Sequence, residues 1–410
     1  MAGQRRAGRR AIRRTAGLGL AAALLASGCS APEATDPAVT DIRRTLDGRA
    51  AAVLRHDESA YLAAVDPGAT RLRATESREF RNLADIPLRS FEYRLGDVKR
   101  SGPRAVAEAD LRYRVDGYDT APVTARRTLE LAERDGRWYV TADRAAENGA
   151  RQLWEQGDVQ VVRGRRSLVL AVGQGGPRLR AVAATADRAV PAVSGAWPSP
   201  WSGRLVVLVP ASLSAMGQLL GAPSSAYRGI AAVTTGETGP AGTTPADRVI
   251  VNPQAYSVLG DYGQGVVLTH ETTHVATRAH TSKATPMWLS EGFADWVAYR
   301  DTRSTAGQIA PELRQAVRRG DVPAELPADA DFAFGGDAGA LARAYEGGWL
   351  ACELIAERWG ERKLTAFYRA VGEGGHRAGA VEKALADVLG TTPQEFTVRW
   401  RDHLRERLQG

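Results

Sequence analysis

The stretch Val266-Val267-Leu268-Thr269-His270-Glu271-Thr272-Thr273-His274-Val275-Ala276 carries the pattern H-E-x-x-H between uncharged, mainly apolar flanks. In a helix, residues four positions apart lie on one face, with about 6 Å between their Cβ atoms. His270 and His274 could therefore both reach one metal ion, and Glu271 would lie beside it. Two neutral nitrogen ligands next to a carboxylate that acts as general base are typical of zinc hydrolases. The alternative is a buried helix with two hydrogen-bonded histidines.

A second segment, Pro286 to Trp296, predicts another helix, with Pro286 in its first turn. A catalytic zinc site has three protein ligands and one open position. No further histidine lies within thirty residues after His280, so a carboxylate has to supply the third ligand, and Glu291 is the candidate. Asp295 lies one turn further along and could accept the second ring N–H of a zinc-bound histidine. The alternative for Glu291 is an ordinary acidic residue on a helix surface.

Together the two segments resemble the signature of the gluzincin metallopeptidases, the thermolysin-like peptidase MA group, in which H-E-x-x-H is followed by E-G-x-A or E-x-x-x-D on a second helix. The residues that match are His270, Glu271, His274, Glu291, Gly292, Ala294 and Asp295. The resemblance implies one Zn²⁺ per chain, bound by His270, His274 and Glu291. It also implies that Glu271 is the base and that Asp295 supports a ligand.

The same resemblance implies a role for Tyr345, which lies in the segment Ala344-Tyr345-Glu346-Gly347-Gly348-Trp349. Related gluzincins carry a tyrosine that donates a hydrogen bond to the oxyanion of the tetrahedral intermediate, and such a donor stabilises the developing charge. The alternative is a tyrosine that only packs among the helices.

The N-terminal residues 1–28 combine six arginines and no acidic residue with an apolar run from Ala16 to Ala26. This pattern predicts an export signal, and the run is too short for a stable membrane span. Its end, Leu25-Ala26-Ser27-Gly28-Cys29-Ser30, resembles a bacterial lipobox. The resemblance implies that Cys29 is lipidated and that residues 29–38 tether the protein to the outer face of the cytoplasmic membrane. A plain signal peptide cut near Ala31 is the alternative, and Arg13-Arg14 leaves twin-arginine export open.

The charge of the chain is concentrated in this leader. The net charge is +7, and removal of the six arginines leaves +1, so the exported protein is expected to be near neutral. We therefore expect a peptide or protein substrate and a membrane as partners, and no nucleic acid. The second cysteine, Cys352, lies in an apolar helical pattern and is predicted to be a small buried residue without a disulfide.

Residues 39–147 predict an α+β unit. An apolar helical period runs from Val39 to about Ala64, and alternating strands follow, with a turn predicted at Gly96-Asp97. The pattern resembles the nuclear-transport-factor-2-like fold, in which helices pack on a curved antiparallel sheet around a pocket. The resemblance implies a binding or spacing module.

Residues 155–410 predict the catalytic domain, so that the whole chain belongs to the α+β class. Leu205–Val209 is a continuous apolar run and predicts a buried strand. Resemblance to gluzincins places the strand Arg248–Asn252 at the sheet edge, where an extended peptide could add as a further strand. A mobile loop is predicted from Thr234 to Ala246 and a loop over the cleft from Leu326 to Gly339. The remaining segments predict helices: Pro311–Arg319, Leu341–Trp359, Arg362–Val371, Ala378–Leu389 and Pro393–Leu408.

These observations predict a membrane-anchored zinc metallopeptidase. Zinc would lower the pKa of a water molecule and polarise the scissile carbonyl, while Glu271 would move the proton to the leaving amine. One alternative is an inactive protein of the same fold that serves as a binding module, although such a protein would be expected to have lost one of the four motif residues. The other is a structural zinc, which usually has four protein ligands, often cysteines, and no adjacent glutamate.

Overall fold

The computed structural model describes residues 36–147, 149–235, 246–334 and 336–409. The predicted export signal, Cys29 and most of the tether lie outside the described residues, as does most of the predicted loop between Thr234 and Ala246. Helix accounts for 52% of the structure and strand for 20%, which confirms the predicted mixed α+β class. Within the described ranges, no helix combines the length and the apolar composition that crossing a membrane requires.

The first part of the chain folds as three helices packed on an antiparallel sheet. The helices are α1 (Pro37–Leu54), α2 (Glu58–Leu62) and α3 (Thr70–Asp85), and the strands are β1 (Leu88–Ser101), β2 (Arg104–Val115), β3 (Val123–Arg134) and β4 (Arg137–Ala145). The strands pair in the order β1-β2-β3-β4. Asp36 caps α1 by accepting a hydrogen bond from the Ala38 N–H (3.0 Å), and Pro37 occupies the first helical position, where a missing N–H costs nothing.

The turn predicted at Gly96-Asp97 is wrong, because β1 continues through these residues. The pairing of β1 with β2 shifts between Leu95 and Val98, which is a β-bulge rather than a chain reversal. A Cβ atom on Gly96 would lie 3.2 Å from the Glu108 carbonyl oxygen, so the glycine allows the two backbones to approach at the bulge. The sequence signals of a bulge and of a turn are the same here.

A second, mixed sheet follows. Its strands are β5 (Val159–Arg163), β6 (Ser167–Val172), β7 (Leu205–Val209), β8 (Ala232–Thr235) and β9 (Arg248–Val251), in the order β5-β6-β7-β9-β8. β7 and β9 run parallel, and β8 pairs antiparallel with β9. The prediction that Arg248–Asn252 forms the edge is therefore wrong. β9 lies between β7 and β8, so β8 is the edge strand on this side of the sheet.

The second sheet lies between the first sheet with its helices and a layer of helices from the second part of the chain. Its side chains therefore alternate between two hydrophobic cores. Leu168, Leu170 and Leu208 share one hydrophobic core with the first sheet and α1. Val169 and Val207 share another with helices of the second part. Strands that are covered on both faces read as continuous apolar runs, as β6 and β7 do.

The rest of the chain is helical. The helices between and after the strands of the second sheet are α4 (Gly176–Ala196), α5 (Leu213–Leu220), α6 (Pro253–Ser257), α7 (Asp261–Thr277), α8 (Met287–Tyr299), α9 (Ala306–Ile309), α10 (Pro311–Arg318), α11 (Ala338–Trp359), α12 (Glu361–Gly372), α13 (Ala380–Ala384) and α14 (Pro393–Gln409). These bounds agree with most of the predicted helices to within a few residues. The helix predicted at Ala378–Leu389 is α-helical only to Ala384 and continues as a π-helix over Leu385–Leu389, and the helical pattern from Val39 to about Ala64 is divided between α1 and α2. Cys352 lies in α11 and is buried and unpaired, as predicted.

Candidate metal centre

Helix α7 presents the H-E-x-x-H residues to a cleft while its other side packs in the core. Leu268 and Val275 belong to the hydrophobic core under the second sheet. On the cleft side, the Nε2 atoms of His270 and His274 lie 3.1 Å apart, so the two rings converge on one point. The helix spacing seen in the sequence therefore produces the expected side-by-side arrangement of the imidazoles.

Helix α8 brings a carboxylate to the same point. Oε2 of Glu291 lies 3.3 Å from His270 Nε2 and 3.5 Å from His274 Nε2. The ligand atoms of these three residues all lie within 4.8 Å of one another, which is close enough for them to hold one metal ion. The structure thus brings together the three residues that the sequence singled out as ligands.

Two glycines explain why the helix with Glu291 also lies against the helix with Tyr345. A Cβ atom on Gly292 would be 2.2 Å from the Gly348 carbonyl oxygen, and one on Gly348 would be 2.7 Å from the Trp288 carbonyl oxygen. The backbones of α8 and α11 are therefore in direct contact at this crossing, and no side chain fits between them. This close approach accounts for the glycine that follows Glu291 in the second motif.

Asp295 makes the contact that the sequence predicted. Its Oδ1 lies 2.8 Å from Nδ1 of His270, on the side of the ring opposite to Glu291. A carboxylate at this nitrogen favours the tautomer with hydrogen on Nδ1, which leaves the lone pair of Nε2 directed at the shared point. Asp295 thereby fixes the orientation of the His270 ring.

The charges around this point favour a cation. Burial lowers the pKa of His270, but the carboxylates of Asp295 and Glu291 raise it by more, so that it lies well above its ordinary value. Burial raises the pKa of Glu291, whereas His274 and His270 lower it to well below its ordinary range. Both shifts indicate that the three donors together stabilise positive charge at the point where they meet.

Glu271 lies beside the three donors and is held by the edge strand β8. The Thr234 hydroxyl donates a hydrogen bond of 2.6 Å to Glu271 Oε2 and also lies 3.1 Å from the Glu271 carbonyl oxygen. Glu271 is buried, and it lines an open cleft of about 610 Å³ between β8, α7 and α8. A carboxylate in this position can exchange a proton with a molecule in the cleft.

Tyr345 reaches the cleft from α11. The centroid of its ring lies 6.5 Å from the centroid of the His270 ring. The Tyr345 ring packs edge-on against the Phe332 ring, with 5.1 Å between their centroids. Burial raises the pKa of Tyr345 well above its ordinary value, and the carboxylates of Glu291, Asp295 and Glu271 raise it further. The phenol therefore keeps its proton at neutral pH and can donate a hydrogen bond in the cleft.

Thr234 and Arg278 are among the polar residues of the cleft that the sequence reasoning missed. Thr234 could not have been found from a local pattern, because its partner Glu271 is 37 positions away. Arg278 could have been found, since it follows His274 by four residues and continues the helix face of the two histidines. Both side chains depend on the β8–β9 hairpin: Thr234 belongs to β8, and Arg278 is bound by Asp247, which precedes β9.

Comparisons with known proteins identify no relative on which a function could be based. No family model matches the chain, and no curated protein matches it. Among solved structures, the chain is similar to a SEC-C motif-containing protein from Rhodopseudomonas palustris, with 18% identity and a TM-score of 0.19. That match covers 25% of this chain and 84% of the other, and a similarity at this level supports no statement about fold or function.

Proposed function

We propose that this protein is a zinc-dependent metallopeptidase. The observation that carries the proposal is the convergence of His270, His274 and Glu291 within 4.8 Å of one another, with Glu271 next to them in an open cleft. Two imidazoles and one carboxylate are a ligand set that suits zinc, and three protein ligands leave a coordination position for chemistry. A structural zinc site would instead be closed by a fourth protein ligand.

The residues present fit a zinc ion in charge as well as in number. Asp295 fixes His270 so that Nε2 is available, and the pKa shifts of His270 and Glu291 describe a site that attracts positive charge. When bound, zinc would supply a Lewis acid that polarises a carbonyl and makes water a stronger nucleophile at neutral pH. His270, His274 and Glu291 would hold it.

In this proposal the protein's own groups move the proton and orient the substrate. Glu271, held by Thr234, accepts a proton from the attacking water on its carboxylate and passes it to the leaving amine. Tyr345 donates its phenolic proton in a hydrogen bond to the carbonyl oxygen as negative charge develops there. Among the described strands, β8 has a neighbour on one side only and lines the cleft, so that an extended peptide can add to it as a further strand.

The variant Glu271→Gln tests this proposal, because glutamine keeps the size of the side chain but cannot accept the proton. We expect it to fold normally, to bind one zinc per chain and to lose at least about 10²–10⁴-fold in the rate of peptide cleavage. Zinc content is measured by elemental analysis, and the rate of cleavage is measured with a peptide library. Glu382→Gln, at an exposed position of α13, is the control and should behave as the wild type.

Two results would contradict the proposal. Unchanged turnover in Glu271→Gln would remove Glu271 as the base. A wild-type protein that binds zinc and cleaves no peptide in a broad library would favour the binding-module alternative.

We also propose that the protein is exported and lipid-anchored at Cys29, on the basis of the sequence of residues 1–30. In a lipoprotein-processing host, the wild type should then sediment with membranes, and Cys29→Ser should release it or block its maturation. Mass spectrometry of the mature N-terminus checks the assignment. Cys352→Ser is the control, since this buried thiol has no part in attachment. A soluble protein whose N-terminus is not Cys29 would be inconsistent with the anchor.

A further inference from the structure

Arg278 occupies the position one helical turn beyond His274, at the end of α7. Its backbone angles (φ −46°, ψ −47°) are helical, so the residue continues the face that carries His270 and His274. Its side chain is only 12% exposed and lines the same cleft as the metal-site residues. A largely buried arginine beside a catalytic cleft needs a reason, because its charge is costly to remove from water.

A buried carboxylate holds the Arg278 side chain from behind. Nε of Arg278 donates to Oδ1 of Asp247 (3.1 Å) and lies 3.3 Å from Oδ2, and the Asp247 side chain is 1% exposed. Asp247 is in turn fixed by the first sheet unit through its neighbour Arg248, whose guanidinium makes two 2.7 Å hydrogen bonds to Asp119. The orientation of Arg278 is thus set by a chain of buried contacts that reaches across both sheets.

The other end of the guanidinium remains available. Within the described ranges, the hydrogen bonds of Arg278 all involve Nε, so its two terminal nitrogens have no protein partner. Hydroxyl-bearing residues close to Arg278 in the sequence, Thr281, Ser282 and Thr285 among them, line the same cleft. Two parallel N–H groups at the end of a guanidinium match the two oxygens of a carboxylate, and such paired, charge-assisted hydrogen bonds are strong.

We propose that Arg278 is a substrate-binding residue that recognises a carboxylate of the peptide. This proposal rests on the proposed peptidase function and adds a substrate class to it: peptides that present an acidic side chain, or their own C-terminal carboxylate, on the His274 side of the metal ligands. The carboxylate replaces water at the terminal nitrogens of Arg278. Because Asp247 already orients the guanidinium, little side-chain freedom is lost on binding.

The test measures peptide binding rather than turnover. The protein is the zinc-loaded Glu271→Gln variant, and the probes are N-acetylated hexapeptides of alanine, leucine and phenylalanine. One parent peptide ends in an amide and another in a free carboxylate. A further set carries one aspartate at each position in turn, with asparagine counterparts. Calorimetric dissociation constants then show whether a carboxylate is recognised, and whether it comes from a side chain or from the C-terminus.

We expect at least one carboxylate peptide to bind roughly 10- to 100-fold more tightly than its uncharged counterpart, as hydrogen bonds to charged groups contribute in this range. Arg278→Gln should abolish that difference and leave the uncharged peptides unaffected. Arg278→Lys should keep only part of it, because an ammonium group cannot make the paired contact. Arg300→Gln is the control: Arg300 follows α8, pairs with Glu361 and does not line the cleft.

Arg278→Gln leaves Asp247 buried without its partner, which could impair folding. The variant Arg278→Gln/Asp247→Asn removes both charges and should show the same loss of carboxylate recognition in a folded protein. The pair of variants separates recognition of the substrate from stability of the hairpin.

The inference is overturned if carboxylate and uncharged peptides bind equally to the protein with Arg278, if no peptide of the set binds, or if the preference survives Arg278→Gln. In these cases, cleavage of library peptides that depends on Glu271 would still support the peptidase. The reverse result is equally distinct. Carboxylate binding that depends on Arg278, without any cleavage by the wild type, would remove the peptidase and keep Arg278 as a ligand-binding residue.

Discussion

Two regions of the molecule contain several ionisable side chains that are shielded from water. One is the space between the first sheet and its helices, and the other is the cleft beside β8. The interior charge cluster consists of Arg49, Glu76, Arg127, Asp143 and Glu155, with side chains between 1% and 8% exposed. The cleft cluster consists of His270, Glu271, His274, Glu291 and Asp295.

The two clusters differ in how their negative charges are balanced. In the interior cluster, arginine lies against carboxylate: Arg49 Nη2 is 2.6 Å from Glu76, and Arg127 Nη2 is 2.8 Å from Asp143. Among the described residues, no arginine or lysine forms an ion pair with the three carboxylates of the cleft cluster, which contact histidines or Thr234 instead. Buried carboxylates need a compensating charge. Each carboxylate of the interior cluster lies against an arginine of the same cluster, whereas the cleft cluster has no such partner in the described part of the chain and is arranged to receive a cation.

Because the cleft cluster is arranged to receive a cation, we expect substitutions of its carboxylates to lower the affinity for zinc. Glu291→Ala removes a ligand, so its loss of zinc affinity should exceed the roughly 10- to 100-fold expected for Asp295→Ala, which only removes the support of His270. Competition with a chelator of known zinc affinity measures both. Equal affinities in the wild type and Glu291→Ala would exclude Glu291 from the metal site. In the absence of zinc, Glu291→Ala should lower the free energy of unfolding much less than Arg49→Met does.

Removal of a charge from the interior cluster should affect stability and leave metal binding alone. Arg49→Met leaves Glu76 buried without its cation and should lower the free energy of unfolding by about 3–5 kcal/mol, measured by urea denaturation. Zinc affinity of the folded protein should be unchanged. The control Arg44→Met, at a 72% exposed position, should stay within about 0.5 kcal/mol of the wild type.

The double variant Arg49→Met/Glu76→Met sharpens this result. It replaces the pair by apolar groups and should recover part of the stability lost in Arg49→Met. If Arg49→Met unfolds like the wild type, the interior pair does not compensate Glu76, and the contrast between the two clusters fails.

The features that the sequence predicted well are those that depend on neighbours along the chain. His270 and His274 are one helical turn apart, so their common face follows from the spacing. Glu291 and Asp295 could be proposed because they share a second helix, and the terminal helices follow from their apolar period. The contact between the two helices, such as that of Asp295 with His270 25 positions away, is suggested by the resemblance to a two-helix motif and not by local spacing.

Features that depend on distant partners were missed or predicted wrongly. β8 and β9 are both only four residues long, and it is the pairing of β9 with β7 that places β8 at the edge. The contact between Asp119 and Arg248 joins residues 129 positions apart, and it decides how Arg278 is held. A glycine inside an alternating pattern, such as Gly96, fits both a turn and a bulge until the partner strand is known. Register and long-range ion pairs are therefore what the sequence alone left open.

The smallest expected effect concerns Glu79, a further carboxylate in α3. The neighbouring arginines do not compensate its negative charge. Burial, together with the charges of Glu76, Glu155 and Asp143, raises the pKa of Glu79 to about 8, against the opposing effect of Arg49. In the unfolded chain the carboxyl group has its ordinary pKa of 4.5. Between these two values the folded protein retains a proton that the unfolded chain releases.

The stability contributed by this proton is therefore fully present below pH 4.5 and is lost as the pH rises through about 8. Glu79→Gln is neutral at every pH and removes this dependence. We expect its melting temperature to match the wild type at pH 5 and to exceed it by about 2 °C at pH 8.5, where the wild type carries an uncompensated, partly buried charge. Glu382→Gln, on the surface, should show no such divergence. If the Glu79→Gln curve runs parallel to the wild type from pH 5 to pH 8.5, Glu79 is ionised in the folded protein, and the interior cluster balances one more carboxylate than its ion pairs indicate.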